Sequence, residues 1–220
     1  MAKLIGIFGG TFDPVHNGHT ETIRSLLEII SFHQIKVIPN GKPPHRPSVF
    51  GSSFERLKMT SIAFKSFDKV VIDDREINRK GPSYAIDTAK EISTEISKDS
   101  SLIWIMGLDA FSSIDSWHRW EEFLGIVNII VMFRPNIEIP KGSIASKLLQ
   151  ERSVNSKEDI SQKDKGRILL CKVTPIDISS TTVRENLFQG KEVSDMIFYK
   201  VNDYIESKKL YVSENEKFQN

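Results

Sequence analysis

The sequence predicts an α/β fold, a single doubly wound, Rossmann-like domain over residues 1–212 with a five- or six-stranded, mostly parallel sheet, followed by a flexible tail at 213–220. Three observations predict it. Short runs such as Leu4-Ile5-Gly6-Ile7-Phe8 and Leu102-Ile103-Trp104-Ile105-Met106 have no polar face, as expected of parallel strands covered on both sides. Between such runs stand segments whose apolar residues recur at helical spacing. Glycine, proline and charge collect after the runs, where an open α/β sheet has its binding crevice.

The first strand, Leu4 to Phe8, is ended by Gly9-Gly10, and Ile23, Leu26, Leu27 and Ile30 give one apolar helix face, so a helix starts near His19 or Thr20. A helix start offers unpaired N–H groups and partial positive charge, which suits a phosphate, and Gly9 and Gly10 let a ligand approach the main chain. His16 and His19, three apart, fit one side of the first turn and can address the same ligand oxygens, with Gly18 removing a side chain that would block access. The loop is neither a P-loop nor the Gly-x-Gly-x-x-Gly fingerprint. No further His or Cys lies near enough in sequence to complete a zinc set.

Ile35 to Ile38 make a second strand, closed by Pro39-Asn40-Gly41. The proline-rich stretch Lys42-Pro43-Pro44-His45-Arg46-Pro47 reads as a solvated linker or as a phosphate clamp, and its place at a strand's carboxyl end favours the clamp. Ser52-x-x-Glu55 is a capping box for a helix over about 54–64, on which Arg56 and Lys58 read as surface charge. Val70 to Ile72 supply a third strand with a charged exit, and Gly81-Pro82-Ser83 makes a turn and cap for a helix marked by Ala85, Ile86, Ala89, Ile92 and Ile96.

Past the fourth strand, Gly107-Leu108-Asp109 sets a carboxylate where it either meets ribose hydroxyls or a hydrated metal ion, or caps a helix beginning at Ala110. Trp120, Phe123 and Leu124 fit a buried face, whereas Trp117 lies on another face, open to stacking on a flat ligand or to core packing. Asn128 to Phe133 make a fifth strand ending in Arg134, which reaches a ligand phosphate or is a plain strand-end charge. Residues 151–167 are polar and read as a long surface loop. Ile168 to Val173 form a sixth strand, and Thr182-x-x-Glu185 is a possible capping box for the next helix, whose hydroxyls at Ser179 and Thr181 either cap it or bind phosphate, with Arg184 one turn on. Ile197, Val201, Tyr204 and Ile205 mark the last helix.

Composition narrows the partners. In 220 residues, 30 basic groups stand against 29 acidic ones, so no overall field draws nucleic acid or a membrane surface. The single Cys171 cannot form an internal disulfide and sits in an apolar run, which points to a buried thiol and a reducing compartment. No apolar run reaches membrane-spanning length and Met1-Ala2-Lys3 leads directly into a strand, so the expected location is cytoplasmic. Oligomeric state is not encoded in these patterns.

Gly-Gly-Thr-Phe-Asp-Pro-Val-His-x-Gly-His, from Gly9 to His19, resembles the signature of the His-x-Gly-His nucleotidyltransferase superfamily, and in this full form most resembles bacterial nicotinate mononucleotide adenylyltransferases. Arg75-Glu-Ile-x-Arg-x-Gly-Pro-Ser-Tyr84 resembles a segment of the same family, in which the next residue is commonly Thr, near the substrate's pyridine carboxylate. Here it is Ala85, which leaves backbone N–H groups to serve. Ser179-x-Thr181-x-x-Arg184 resembles the superfamily's second ATP motif.

The resemblance implies transfer of the adenylyl group of ATP to nicotinate mononucleotide, giving nicotinate adenine dinucleotide and pyrophosphate in NAD biosynthesis. It implies His16, His19 and Arg184 as catalytic residues, and ATP held by Gly9, Gly10, Thr11, Phe12, Gly18, Ser179 and Thr181. The mononucleotide falls to Asn40, His45, Arg46, Tyr84, Ala85, Gly107, Asp109, Trp117 and Arg134, with Trp117 packed on the nicotinate ring. Mg²⁺ is expected on ATP itself, without a protein ligand set. Two alternatives stand beside this reading: another phosphomonoester acceptor such as phosphopantetheine, and a nucleotide-binding regulator without turnover.

Overall fold

The computed structural model describes residues 3–42, 49–133, 139–161, 164–173 and 176–212. The expected α/β alternation is present. Strand β1 (Lys3–Gly10) leads into helix α1 (Asn17–Ile29), followed by β2 (Gln34–Pro39), α2 (Ser53–Ala63), β3 (Val70–Ile72), the single turn α3 (Arg75–Asn78) and α4 (Ala85–Glu95). Then come β4 (Ser100–Gly107), α5 (Leu108–Ser112), a 3₁₀ turn (Ile114–Ser116), α6 (Trp120–Leu124), β5 (Asn128–Phe133), α7 (Ile144–Arg152), β6 (Ser153–Val154), α8 (Lys157–Ile160), β7 (Ile168–Lys172), α9 (Ser180–Phe188) and α10 (Tyr199–Ser207).

The strands form one sheet of order β3-β2-β1-β4-β5-β7-β6, and every pairing is parallel. The chain runs outward in one direction from β1 to β3 and in the other from β4 onward, so β1 and β4 flank the switch point where such sheets open a crevice. Register aligns their carboxyl ends: Gly10 pairs with Pro39, Phe8 with Ile105 and Gly107 with Met132.

Alternation along the strands feeds two cores. Leu4, Phe8, Ile35, Val37, Ile103 and Ile105 face Ile23 and Leu26 of α1, Met59 of α2, Val183 of α9 and Val201 and Ile205 of α10. Ile5, Ile7, Ile38, Leu102, Trp104 and Met106 face Ile86, Ala89 and Ile92 of α4, Phe111 of α5 and Phe123 of α6. Cys171 is buried, as its run suggests, and burial pushes its thiol pKa up.

Several boundaries differ from those read in the sequence. The sheet has seven strands rather than five or six, because the polar segment 151–167 is not a plain loop: the end of α7, the two-residue β6 and α8 lie in it, anchored by buried Ile160 and by the pairing of Ser153 with Ile168. Strand β6 is too short for alternation to register. Helix α1 starts at Asn17 with His16 as N-cap, two or three residues before the start expected at His19 or Thr20. Helix α9 is capped by Ser179, whose Oγ accepts from the Thr182 N–H at 3.0 Å, so Thr182 is the third helical residue and not the cap. Asp109 caps nothing: α5 already begins at Leu108, and Gly107 is its N-cap. The box at Ser52 and Glu55 forms with both of its hydrogen bonds.

Arg56 is the largest departure. Its charge predicts a surface position, yet it is 1 % exposed. The guanidinium donates to Thr11 O at 2.6 Å and Asn40 O at 2.7 Å, and at 3.3 Å to Gly41 O and Gly51 O. One buried cation thus clamps the exits of β1 and β2 to the start of α2, a task for which the planar fork of donors is suited. Burial lowers its pKa, partly opposed by the charge of Asp13.

Candidate active site

At the carboxyl ends of β1 and β4 lies a cavity of ≈ 550 Å³. Its wall takes in Gly9, Gly10, Thr11, Phe12, His16, Gly18 and His19 from the first motif, Asn40 after β2, Tyr84 and Ala85 at the start of α4, Gly107 and Asp109 after β4, Trp117, and Ser179, Ser180 and Thr181 from the second ATP-like motif. The volume is in the range of small-molecule sites. His45, Arg46 and Arg134 lie outside the described residues.

Two helix starts meet here. Ser180 Oγ at the head of α9 donates to Pro14 O, just before α1, at 2.9 Å, and a Cβ on Gly18 would stand 3.6 Å from Ile178 O. Residues more than 150 apart in sequence therefore turn two sets of helix-terminal N–H groups and two positive dipole ends toward one space.

The histidines form a stacked pair, with ring centroids 3.7 Å apart and planes inclined by 36°. The His16 N–H donates to His19 Nδ1 at 3.1 Å. With Nδ1 accepting, a neutral His19 carries its proton on Nε2, as a donor for a ligand oxygen. The Phe12 ring meets His19 edge-on at 5.0 Å. The glycines serve this packing more than ligand access. A Cβ on Gly18 would lie 2.9 Å from His16 Nδ1, and one on Gly10 would lie 2.8 Å from the Phe12 ring, so both make room for side chains of the motif itself. Gly9 is different: a Cβ there would meet Trp104 only at an ordinary 3.6 Å, which leaves its face toward the cavity open.

Arg184 does not line the cavity. Its Nη1 donates to Asp13 O at 2.6 Å and its Nη2 to Thr181 Oγ1 at 3.3 Å, while the guanidinium lies over the Phe50 ring at 4.7 Å. It is held at the rim, one step behind Thr181. Trp117 is half-buried: it packs edge-on to Trp104 at 6.2 Å and tilted against Phe123 at 5.6 Å, and it also lines the cavity wall. Opposite α6, Tyr84 stacks on His118 at 4.3 Å.

Four further residues line or support the wall. Ser83 Oγ accepts from the N–H groups of Gly41 and Lys42, at 3.1 and 3.2 Å, tying the exit of β2 to the start of α4, and so is not the cap of α4. Glu76 lines the cavity although it is 4 % exposed; burial raises its pKa against a 2.7 Å hydrogen bond from Thr88 Oγ1. Asp13 is buried and accepts from the N–H groups of Phe50 and Gly51 and from Tyr211 Oη. His118 is the fourth. Asp13 left a signal as a carboxylate inside the first motif, and Glu76 and Ser83 as members of the Arg75–Tyr84 segment. Behind this wall, Lys36 and Arg75 hydrogen-bond Asp73, overriding the upward push of burial and holding its pKa down to about 2.

Comparison with known proteins follows the same lines. Residues 7–186 match the cytidylyltransferase-like family model. A protein of Pseudomonas fluorescens named as a probable nicotinate-nucleotide adenylyltransferase is 36% identical over 215 residues, covering 98% of this chain and 100% of its own. One of the same name from Pectobacterium atrosepticum is 34% identical, covering 96% and 100%. Among solved structures, Plasmodium falciparum nicotinic acid mononucleotide adenylyltransferase complexed with NaAD superposes with a TM-score of 0.69 at 22% identity, covering 95% of this chain and 97% of that one, a likeness of fold.

Proposed function

Because the chain belongs to the cytidylyltransferase-like family, and within it to the nicotinate-nucleotide adenylyltransferases, we propose that it transfers the adenylyl group of ATP to nicotinate mononucleotide. The observation that carries this reading is the junction of the α1 and α9 starts on one cavity that also holds a half-buried indole and a carboxylate.

In this reading a phosphate oxygen of the mononucleotide attacks the α-phosphorus of ATP in line. The new P–O bond forms as the bond to the bridging oxygen breaks, and pyrophosphate leaves with that electron pair. The nucleophile is already anionic at neutral pH, so the chain supplies no general base. It supplies position and positive charge where the bridging oxygens gain negative charge. His19 Nε2–H, His16, the N–H group of Gly18, and the head of α9 with Ser180 and Thr181 make that donor set. Arg184 reaches it by turning about Thr181. Trp117 offers a face for the pyridine ring, and the start of α4 at Ala85 offers backbone N–H groups for its carboxylate.

Asp109, in the wall, is the carboxylate these residues offer to ribose hydroxyls or to hydrated Mg²⁺. Among the described residues no three His, Cys, Asp or Glu side chains gather into a metal set, and in this reading the ion arrives on the triphosphate. Bound there, Mg²⁺ neutralises phosphate charge.

The test is pyrophosphate release from ATP and Mg²⁺ with nicotinate mononucleotide, nicotinamide mononucleotide or phosphopantetheine as acceptor. Fastest turnover with the nicotinate compound is expected. Turnover only with phosphopantetheine, or with none of the three, overturns the reading.

A further inference from the structure

After α10 the chain makes two unusual turns: Lys209 has φ 50° and Tyr211 φ 56°, a region that side chains other than glycine rarely enter. Their result is specific. Tyr211 becomes buried, and its Oη donates to Asp13 Oδ1 at 2.6 Å, across 198 residues of sequence. The same carboxylate accepts from the N–H groups of Phe50 at 2.8 Å and Gly51 at 2.9 Å. A Cβ on Gly51 would stand 2.9 Å from Tyr211 Oη and 3.0 Å from Asp13 Oδ1, so a glycine is required for the three groups to meet.

Asp13 is also where Arg184 is held, through its carbonyl at 2.6 Å, and Phe50, whose N–H the carboxylate fixes, is the ring beneath the guanidinium. Both contacts that place Arg184 thus lead to Asp13, one to its main-chain carbonyl and the other through Phe50, whose N–H its carboxylate holds, and Tyr211 supplies that carboxylate's shortest hydrogen bond. The phenol's pKa is raised, by burial first and then by the neighbouring Asp13 charge, so it stays a donor.

We propose that Tyr211 is a positioning residue of the nucleotide site, acting through Asp13 to set the orientation from which Arg184 engages the triphosphate. The proposal rests on the adenylyl-transfer reading. It makes the stretch after α10 a working part of the site instead of a trailing end, although Tyr211 itself touches no substrate.

The test is a double-mutant cycle on steady-state pyrophosphate release, with Tyr211→Phe, Arg184→Ala and the double variant. Tyr211→Phe should lower kcat about tenfold with both KM values within about twofold, as for loss of an arrangement used in the transition state. In the Arg184→Ala background the same change should alter kcat less than about twofold, because the group it positions is gone. A purely structural tyrosine would repeat its full effect in that background, and that result, or Tyr211→Phe at wild-type kcat, overturns the proposal. If Tyr211→Phe does not fold, Gly51→Ala, which crowds the same hydrogen bond, is put through the same cycle with the same criteria. A wild-type protein that releases no pyrophosphate, or Arg184→Ala with undiminished kcat, overturns the functional reading and this proposal with it.

Discussion

Replacing Arg56 by lysine asks whether a buried guanidinium assembles the cavity wall. The arginine spans four carbonyls, two of them at 2.6 and 2.7 Å and on different strand exits. A lysine ammonium is a single point with three donors and cannot reach Thr11 O and Asn40 O in the positions that the planar fork serves. At least one short charged hydrogen bond is lost and one buried carbonyl is left unpaired. Charged hydrogen bonds contribute about 1.5–3 kcal/mol each, so the expected cost is about 2–3 kcal/mol. Against a total stability of about 5–15 kcal/mol the variant should still fold. In urea, with a slope of about 2–3 kcal/mol per M for a chain of this size, the midpoint should fall by about 1 M. A midpoint within about 0.2 M of wild type would refute the reasoning and make the clamp incidental.

Three further outcomes are expected. His19→Ala should still fold, with a melting temperature lowered by the lost cap of α1, and should lower kcat for pyrophosphate release by about 10², as for removal of one transition-state donor; turnover near wild type would remove His19 from the donor set. Asp73→Asn should lose about 2 kcal/mol at pH 7, from a pKa of about 2 against the ordinary 3.8. Since that pKa is depressed, the wild-type advantage is full above about pH 4 and shrinks as pH falls toward 2, which urea midpoints across that range would follow. Glu76 has the opposite sign: its raised pKa means the fold favours the protonated acid, so stability drops as pH rises above the ordinary carboxylate range. Glu76→Gln should therefore melt higher than wild type at pH 8 and level with it near pH 4.

The sheet and most helices were legible because their signals are local. Ile23, Leu26 and Leu27 repeat at helical spacing on α1, and the strand cores are continuous apolar runs. The two phosphate-type motifs were legible as helix starts, and the structure seats them together. The misses have a common physical origin. Arg56 and Tyr211 act through partners 45 and 198 residues away, and no periodicity records such a pairing. Charge alone put Arg56 on the surface, because solvation is the default for an arginine. Gly10 and Gly18 line the cavity, and nothing in the sequence signals that they also make room for Phe12 and His16 of their own motif.

Everything functional here depends on the starts of α1 and α9 sharing one ligand. The direct measurement is a titration with a non-hydrolysable ATP analogue and Mg²⁺, followed by NMR at the imidazoles of His16 and His19 and at the Thr181 amide. All three sets of resonances are predicted to shift together with one Kd. Shifts confined to the histidines or to Thr181, or two distinct affinities, would contradict a single triphosphate site.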